Sequence, residues 1–392
     1  MPIADKMVKM VESASMIRKM FEEGIRMKGI YGADNVFDFS LGNPDVPPPA
    51  VVNETLIKLI NNPATSHGYM PNTGYPHVRQ AIAAYLAKEH DTDITENDIL
   101  MTCGAAGGLN VTLKTLLDPG DEVLTPAPFF VEYKFYVENH GGKLVPVKTR
   151  ADFTLDLKAI DAAFTKNTKA VIINSPNNPT GQIYSEGSLN QLGSLLHDKS
   201  QEYGRTIYLI SDEPYRKIVY DGNVVPSIFA CYPETIIVTS YSKDLSIPGE
   251  RIGYIAVNPY ASFRADLVSG MSLANRILGF VNAPALMQRV VGAIQGASVD
   301  IKPYARNREV LCNGLSACGY DFAKPPGAFY LFARSPVSDD VEFVRALQEE
   351  RILTVPGSGF GGPGHFRIAY CVNECTIEGA LPGFERTIKK FR

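Results

Sequence analysis

The sequence carries no excess of either charge. Its 392 residues include 38 basic and 42 acidic side chains, a net charge of −4, with no long block of one sign. That balance leaves no electrostatic footprint for nucleic acid or an anionic membrane surface, so a small molecule is the expected partner. No paired cysteine knuckle occurs either. Cys103, Cys231, Cys312, Cys318, Cys371 and Cys375 are scattered, and neither Cys312/Cys318 nor Cys371/Cys375 belongs to a metal-binding pattern. Reduced, structural thiols are expected, in a cytoplasm. No apolar run approaches a membrane span, and Lys6, Lys9, Glu12, Arg18 and Lys19 interrupt the N-terminus where a signal peptide would be continuous. Repeats and low-complexity segments are absent, and no G-x-G-x-x-G follows a strand pattern. His67 and His77 stand without a carboxylate–histidine set, so no metal site is expected.

What is present is length and apolar content, 45% of residues, enough for two or three domains with substantial cores. Residues 171–174, 206–210, 236–239 and 252–257 are short β-branched runs that predict strands. Between the first two, residues 185–203 place Leu189, Leu192, Leu195 and Leu196 at a helical period, which suits a crossover helix and a mainly parallel sheet. Ligands of such sheets sit beyond the carboxyl ends of the strands, and here each strand candidate runs into polar or glycine-containing sequence. The proline-rich segment 43–49 marks a crossing from an N-terminal arm. After about residue 290, helical sequence gives way to 328–332, a helix over 341–350, a glycine-rich loop over 356–364 and 366–369, the order of a smaller α+β domain. The expected division is 1–45 for the N-terminal arm and part of the small domain, 46–288 for the large domain and 289–392 for the small C-terminal domain.

Chemistry concentrates at three of these strand exits. Ser240-Tyr241-Ser242-Lys243 is followed by Arg251. A lysine held near cations and partly desolvated has a lowered pKa, which suits an imine-forming nucleophile. Alone, an S-x-S-K is usually a solvated surface lysine. Ser211-Asp212-Glu213-Pro214-Tyr215 adds a carboxylate and a phenol three residues apart. An electron-sink cofactor needs both, one to keep a pyridine nitrogen protonated and one to hydrogen-bond a ring hydroxyl. A capping aspartate and a packed tyrosine are the ordinary alternative, less plausible with the lysine one strand further along.

With Ser175-Pro176-Asn177-Asn178-Pro179-Thr180-Gly181 and Phe366-Arg367-Ile368, these motifs resemble, in order and over nearly the whole chain, the fold-type I, class I/II aminotransferases that use pyridoxal phosphate. The resemblance implies an α/β fold with a mainly parallel, mixed seven-stranded sheet in the large cofactor-binding domain, and a homodimer with shared sites. It implies that Lys243 holds the cofactor as an imine and, once released, shuttles the α-proton. Asp212 would hold the pyridinium proton, and Tyr215 and Asn178 the ring oxygen. Ser240, Arg251 and the turn Gly104-Ala105-Ala106 would bind the phosphate, the turn through backbone N–H groups at a helix N-terminus. Phe130, found by counting back from Gly141-Gly142, would stack on the ring. Tyr69, in Tyr69-Met70-Pro71-Asn72-Thr73-Gly74-Tyr75-Pro76, would reach the neighbouring subunit's cofactor phosphate. Arg367 would pair with the substrate carboxylate, which Asn178 also flanks and Gly42 approaches closely for want of a side chain.

Two positions depart from the family pattern: Ala105-Ala106 where many relatives carry a hydroxyl or charge, and Phe130 where many carry tryptophan or tyrosine. Arg276 lies near the place where a side-chain carboxylate is recognised in aspartate aminotransferases, but its offset from Asn282 does not match, and a surface or interface arginine is expected. The glycines between 357 and 364 suggest a loop of a domain that closes on substrate. The expected activity is ping-pong transamination between an L-amino acid and a 2-oxo acid, and the resemblance alone implies a common donor or acceptor such as glutamate and 2-oxoglutarate. Rivals are a carbon–sulfur β-lyase on the same scaffold and a non-enzymatic regulatory protein, the latter disfavoured because Lys243, Asp212 and Arg367 are all present.

Overall fold

The computed structural model describes residues 3–12 and 16–392. Residues 1–2 and 13–15 of the expected N-terminal arm, and the side chains of Lys9, Glu12, Arg18 and Lys19, lie outside the described residues. The strands in chain order are β1 (Phe37–Asp38), β2 (Ile99–Thr102), β3 (Glu122–Ala127), β4 (Lys143–Lys148), β5 (Thr168–Asn174), β6 (Tyr208–Asp212), β7 (Thr235–Ser240), β8 (Gly253–Val257), β9 (Tyr330–Arg334), β10 (Ile352–Leu353), β11 (Val355–Pro356) and β12 (His365–Ala369). Seven of them form one sheet in the order β2-β8-β7-β6-β5-β3-β4. Only β8 runs against its neighbours in that sheet, so it is mixed but mainly parallel, as expected.

The continuous apolar runs of β5 to β8 follow from burial on both faces. Val171, Ile172, Ile173, Leu209, Ile210, Ile237 and Val238 are all buried, alternating between the two hydrophobic clusters that flank the sheet. The crossover helix Glu186–Tyr203 starts where the Ser185 side chain accepts the Ser188 N–H and stops at Gly204, whose left-handed backbone suits glycine. Its buried stripe, Leu189, Leu192, Gly193 and Leu196, seats it on the sheet. No helix among the described residues is long and apolar enough to cross a membrane.

Register aligns the strand ends that matter. Asn174 pairs with Asp212, Asp212 with Val238, and Ser240 with Gly253. One difference from the sequence reading lies here: Asp212 is the last residue of β6, not a loop residue after a strand ending at 210. Ser211 and Asp212 look like loop because they are polar, yet both are buried and hydrogen-bonded in place.

A second assembly joins both ends of the chain. β9, β11 and β12 form an antiparallel sheet, and β1 pairs in parallel with β10, Phe37 beside Ile352 and Asp38 beside Leu353. Past β1, the Phe39 N–H donates to Leu353 and its carbonyl accepts from Ala369. Phe39 thereby enters a cluster with Leu311, Phe343, Phe366 and Phe384, which also takes in Tyr215 and Tyr330. The glycine-rich segment is more regular than its composition suggests. Pro356 belongs to β11, and Gly357–Phe360 forms a 3-10 turn that stops at the left-handed Gly361.

Candidate active site

Asp212 leaves the carboxyl end of β6 fully surrounded by protein. Its Oδ2 accepts the Tyr133 hydroxyl at 2.5 Å, while Oδ1 is buried with no hydrogen-bond partner. Burial raises its pKa to about 7, against the lowering effect of the Tyr133 bond, with nearby Glu213 adding to the rise. A buried carboxylate oxygen without a donor is costly, and a charged N–H brought by a ligand would relieve that cost. Tyr215 comes off the same strand end, and its hydroxyl lies 2.8 Å from that of Tyr330.

Lys243 sits three residues past β7, half-buried, and its Nζ donates to the Gly42 carbonyl at 2.7 Å. Desolvation lowers its pKa to about 8; Cys371 opposes the shift, and the cations of Arg367 and Arg251 add to it. The lowered pKa increases the share of neutral amine near neutral pH, the form a carbonyl-seeking nitrogen needs.

Arg367, from β12, is 1% exposed. Its Nη1 donates to Asn178 Oδ1 at 3.1 Å and its Nη2 to the Ser40 carbonyl at 2.5 Å, leaving Nε buried without a partner. The guanidinium lies 4.7 Å from the Tyr330 ring centroid and 4.8 Å from that of Phe360. Asn178 is itself fixed, its N–H donating to Asn174 Oδ1 at 2.6 Å. No carboxylate faces Arg367 among its described hydrogen bonds, so a fork suited to a carboxylate is held by neutral acceptors only.

A third corner gathers groups that could hold an anion. The helix Gly104–Leu116 begins at Cys103 with no side-chain cap, which leaves its first N–H groups open. A Cβ at Gly104 would come 2.7 Å from Arg251 Nη2, and one at Gly253 would meet the Gly104 backbone at 3.0 Å. Because Gly253 pairs with Ser240, the structure brings Gly104, Ser240 and Arg251 together. Ala105 and Ala106 follow in the helix's first turn, half-buried. Phe130 stands edge-on to Tyr133, centroids 5.6 Å apart. Tyr69 is not brought to this cluster within the chain: it is 93% exposed.

Sequence reasoning missed Tyr133, Tyr330 and Phe360, which hold Asp212, Tyr215 and Arg367. The spacing of Tyr133 three residues after Phe130 was the only signal for any of them. Arg276 is exposed on the helix Arg264–Ile277, in keeping with a surface or interface arginine. His67 and His77 are exposed, and no group of metal-binding side chains occurs among the described residues.

The donor set fits a phosphorylated pyridine aldehyde. There is an unpaired buried acid oxygen for a pyridinium N–H, a phenol for a ring oxygen, an uncapped helix end with a guanidinium for phosphate, and a desolvated amine. The sequence profile of the "Aminotransferase class I and II" family matches residues 34–382. The chain is 32% identical to the aspartate/prephenate aminotransferase of Thermus thermophilus, over 88% of this chain and 89% of that protein. It is also 32% identical to the aspartate aminotransferase of Bacillus subtilis, covering 91% and 92%. Among solved structures, an aminotransferase from Eubacterium rectale superposes with a TM-score of 0.97 at 42% identity, covering all of both chains. Aspartate aminotransferase from Thermus thermophilus with maleate superposes with a TM-score of 0.85 at 27% identity, covering 95% and 97%.

Proposed function

The chain belongs to the class I and II aminotransferase family, and within it we propose that Lys243, Asp212, Tyr215, Asn178, Phe130, Gly104, Ala105, Ala106, Ser240 and Arg251 hold the cofactor, and that Arg367, Asn178 and Gly42 receive the amino acid. It is a pyridoxal-phosphate aminotransferase, exchanging an amino group between an amino acid and a 2-oxo acid in two half-reactions. Nothing in the relatives favours the lyase or the regulatory alternative. The unpartnered Oδ1 of Asp212 carries the assignment of the site.

The cofactor supplies an electron sink for the pair left at the substrate α-carbon. Asp212 would keep a proton on the pyridine nitrogen, and the new cation would in turn hold the carboxylate ionised despite its burial. Tyr215 and Asn178 would donate to the ring oxygen, and Phe130 would cover the ring face. Ser240, Arg251 and the open N–H groups of residues 104–106 would fix the phosphate end. Arg367 would take the substrate carboxylate in a two-pronged hydrogen bond, fixing which α-substituent faces Lys243. The Lys243 amine, freed from its link to the cofactor, would carry the proton between the α-carbon and C4′. Its resting contact with the Gly42 carbonyl places that amine beside the segment we assign to the carboxylate.

We further propose a homodimer in which Tyr69 completes the phosphate site of the neighbouring subunit, supported by its exposure and by the exposed Ile57, Ile60, Leu273 and Ile277. The division into arm, large domain and small domain at 1–45, 46–288 and 289–392 is supported by the separate apolar clusters on the large sheet and around β9 to β12. We also propose a dicarboxylic partner such as glutamate and 2-oxoglutarate, supported by relatives named for the dicarboxylic amino acid aspartate, and a cytoplasmic setting.

The deciding experiment is the visible spectrum of the purified protein, taken before and after single amino acids are added without any oxo acid. A yellow band lost on adding the right donor, and absent altogether in Lys243→Ala, is expected. A Lys243→Ala protein that keeps both the pH-sensitive band and turnover would remove the lysine from its role.

A further inference from the structure

Tyr330 opens β9 and occupies a place to which the motifs assign no duty. Its hydroxyl lies 2.8 Å from that of Tyr215, with the two rings edge-on, centroids 5.5 Å apart. Its ring face lies 4.7 Å from the Arg367 guanidinium. A Cβ added to Gly42 would run into its hydroxyl, so the segment whose carbonyl holds Lys243 is shaped around it. Tyr330 is 2% exposed and packed against Phe329 at 5.0 Å, which leaves it little freedom to move.

We propose that Tyr330 is a positioning residue with two separable duties: its hydroxyl orients the Tyr215 phenol toward the cofactor's ring oxygen, and its ring face holds Arg367 flat for the substrate carboxylate. This rests on the roles assigned above to Tyr215 and Arg367. The direction of the hydroxyl pair follows from satisfaction. If Tyr215 spends its one hydrogen on the cofactor, its oxygen is left to accept, and Tyr330 is the donor beside it. A phenol that accepts one hydrogen bond donates a stronger one, so Tyr330 makes Tyr215 the better donor. Arg367 has its two Nη atoms on Asn178 and Ser40, and the rings of Tyr330 and Phe360 lie against the guanidinium. A cation resting on an aromatic face keeps its charge while losing freedom to tilt, which a two-pronged hydrogen bond requires.

The test uses the cofactor-loaded enzyme and three variants, Tyr330→Phe, Tyr330→Leu and Tyr215→Phe, with the double variant Tyr215→Phe/Tyr330→Phe. Two readouts are kept apart: the pH midpoint of the visible band, and the dissociation constant of maleate as an unreactive dicarboxylate. Cofactor affinity of the stripped protein is measured beside them. Tyr330→Phe is expected to raise the band midpoint, because the ring oxygen keeps more electron density, and to weaken cofactor binding about fivefold, the effect of one hydrogen bond. Its maleate constant should stay within about twofold, since the ring remains. Tyr330→Leu should weaken maleate about tenfold as well, and Tyr330→Met replaces it should the leucine variant not fold.

In the double variant the Tyr330→Phe effect on the band should vanish. A band midpoint that moves in Tyr215→Phe but not in Tyr330→Phe overturns the hydroxyl's duty alone. Unchanged maleate binding in Tyr330→Leu overturns the ring's, and equal loss of maleate binding in the phenylalanine and leucine variants overturns their separation. No shift in Tyr215→Phe itself would instead defeat the role given to Tyr215.

Discussion

Tyr133 and Asp212, 79 residues apart in sequence, meet through a 2.5 Å hydrogen bond that occupies one carboxylate oxygen and leaves the other buried and unpaired. On the assignment proposed above, the pair divides the acid's two oxygens between protein and cofactor. Removing the Tyr133 hydroxyl leaves both oxygens without a donor, which favours the protonated acid and weakens its hold on a pyridinium. Tyr133→Phe should therefore weaken cofactor binding about fivefold to tenfold, read by titrating the stripped enzyme with pyridoxal phosphate. An unchanged constant would show that Tyr133 is packing and no more.

The pKa of Asp212 predicts a stability profile for the stripped protein. The group sits at about 7 when folded and 3.8 as reference, so between those values the native state binds more protons than the unfolded one. Stability contributed at this position falls as pH rises from about 4 to about 7, and the full penalty persists above. Asp212→Asn removes it. The stripped variant should exceed the stripped wild type at pH 8 by on the order of 2–4 kcal/mol, converging toward pH 4, in urea unfolding. Parallel stability curves would contradict the burial argument, whereas a more stable but inactive variant would show stability exchanged for function.

Arg367→Ala should raise KM for every amino acid tested by roughly 30- to 100-fold, the effect of losing a two-pronged charged hydrogen bond. Arg367→Lys keeps the charge but loses the fork, and should recover only part of it. An effect confined to one substrate would contradict a contact with the group they all share.

Gly104 carries a positive φ of 72°, and a side chain there would press on Arg251. Gly104→Ala should cost the fold about 1–2 kcal/mol. It should also cut affinity for pyridoxal phosphate about tenfold, one hydrogen bond to a charged group, while hardly changing that for unphosphorylated pyridoxal. Equal losses for the two would detach this corner from the phosphate.

The sequence disclosed the parts of the site that combine unusual residues with a strand exit. Lys243 and Asp212 are charged groups following apolar runs, and the register of β5 to β8 sets their strand ends side by side, whereas Arg367 lies within β12 of the other sheet and was legible only through the order of the motifs. Tyr133 and Tyr330 were illegible because an aromatic amid apolar neighbours reads as core. Their polar ends find partners 79 and 115 residues away, and no local pattern reports such a distance. The two-residue β1 was likewise invisible, since it has no periodicity of its own and exists only by pairing with β10. β9 was displaced for a related reason: Ala328 and Phe329 are as buried as strand residues but lie before the ladder that begins at Tyr330.

That short parallel pairing has a consequence for how the enzyme comes into being. β1 and β10 bring Ser40 under Arg367, contacts that span 327 residues of chain. During synthesis the lysine and aspartate emerge long before the arginine. At about 5–20 residues per second the wait lasts on the order of ten seconds. Through that interval the chain already carries the lysine and aspartate proposed for the cofactor but not the arginine proposed for the substrate carboxylate. Recognition of the amino acid is, on that assignment, the last part of the site that synthesis can supply.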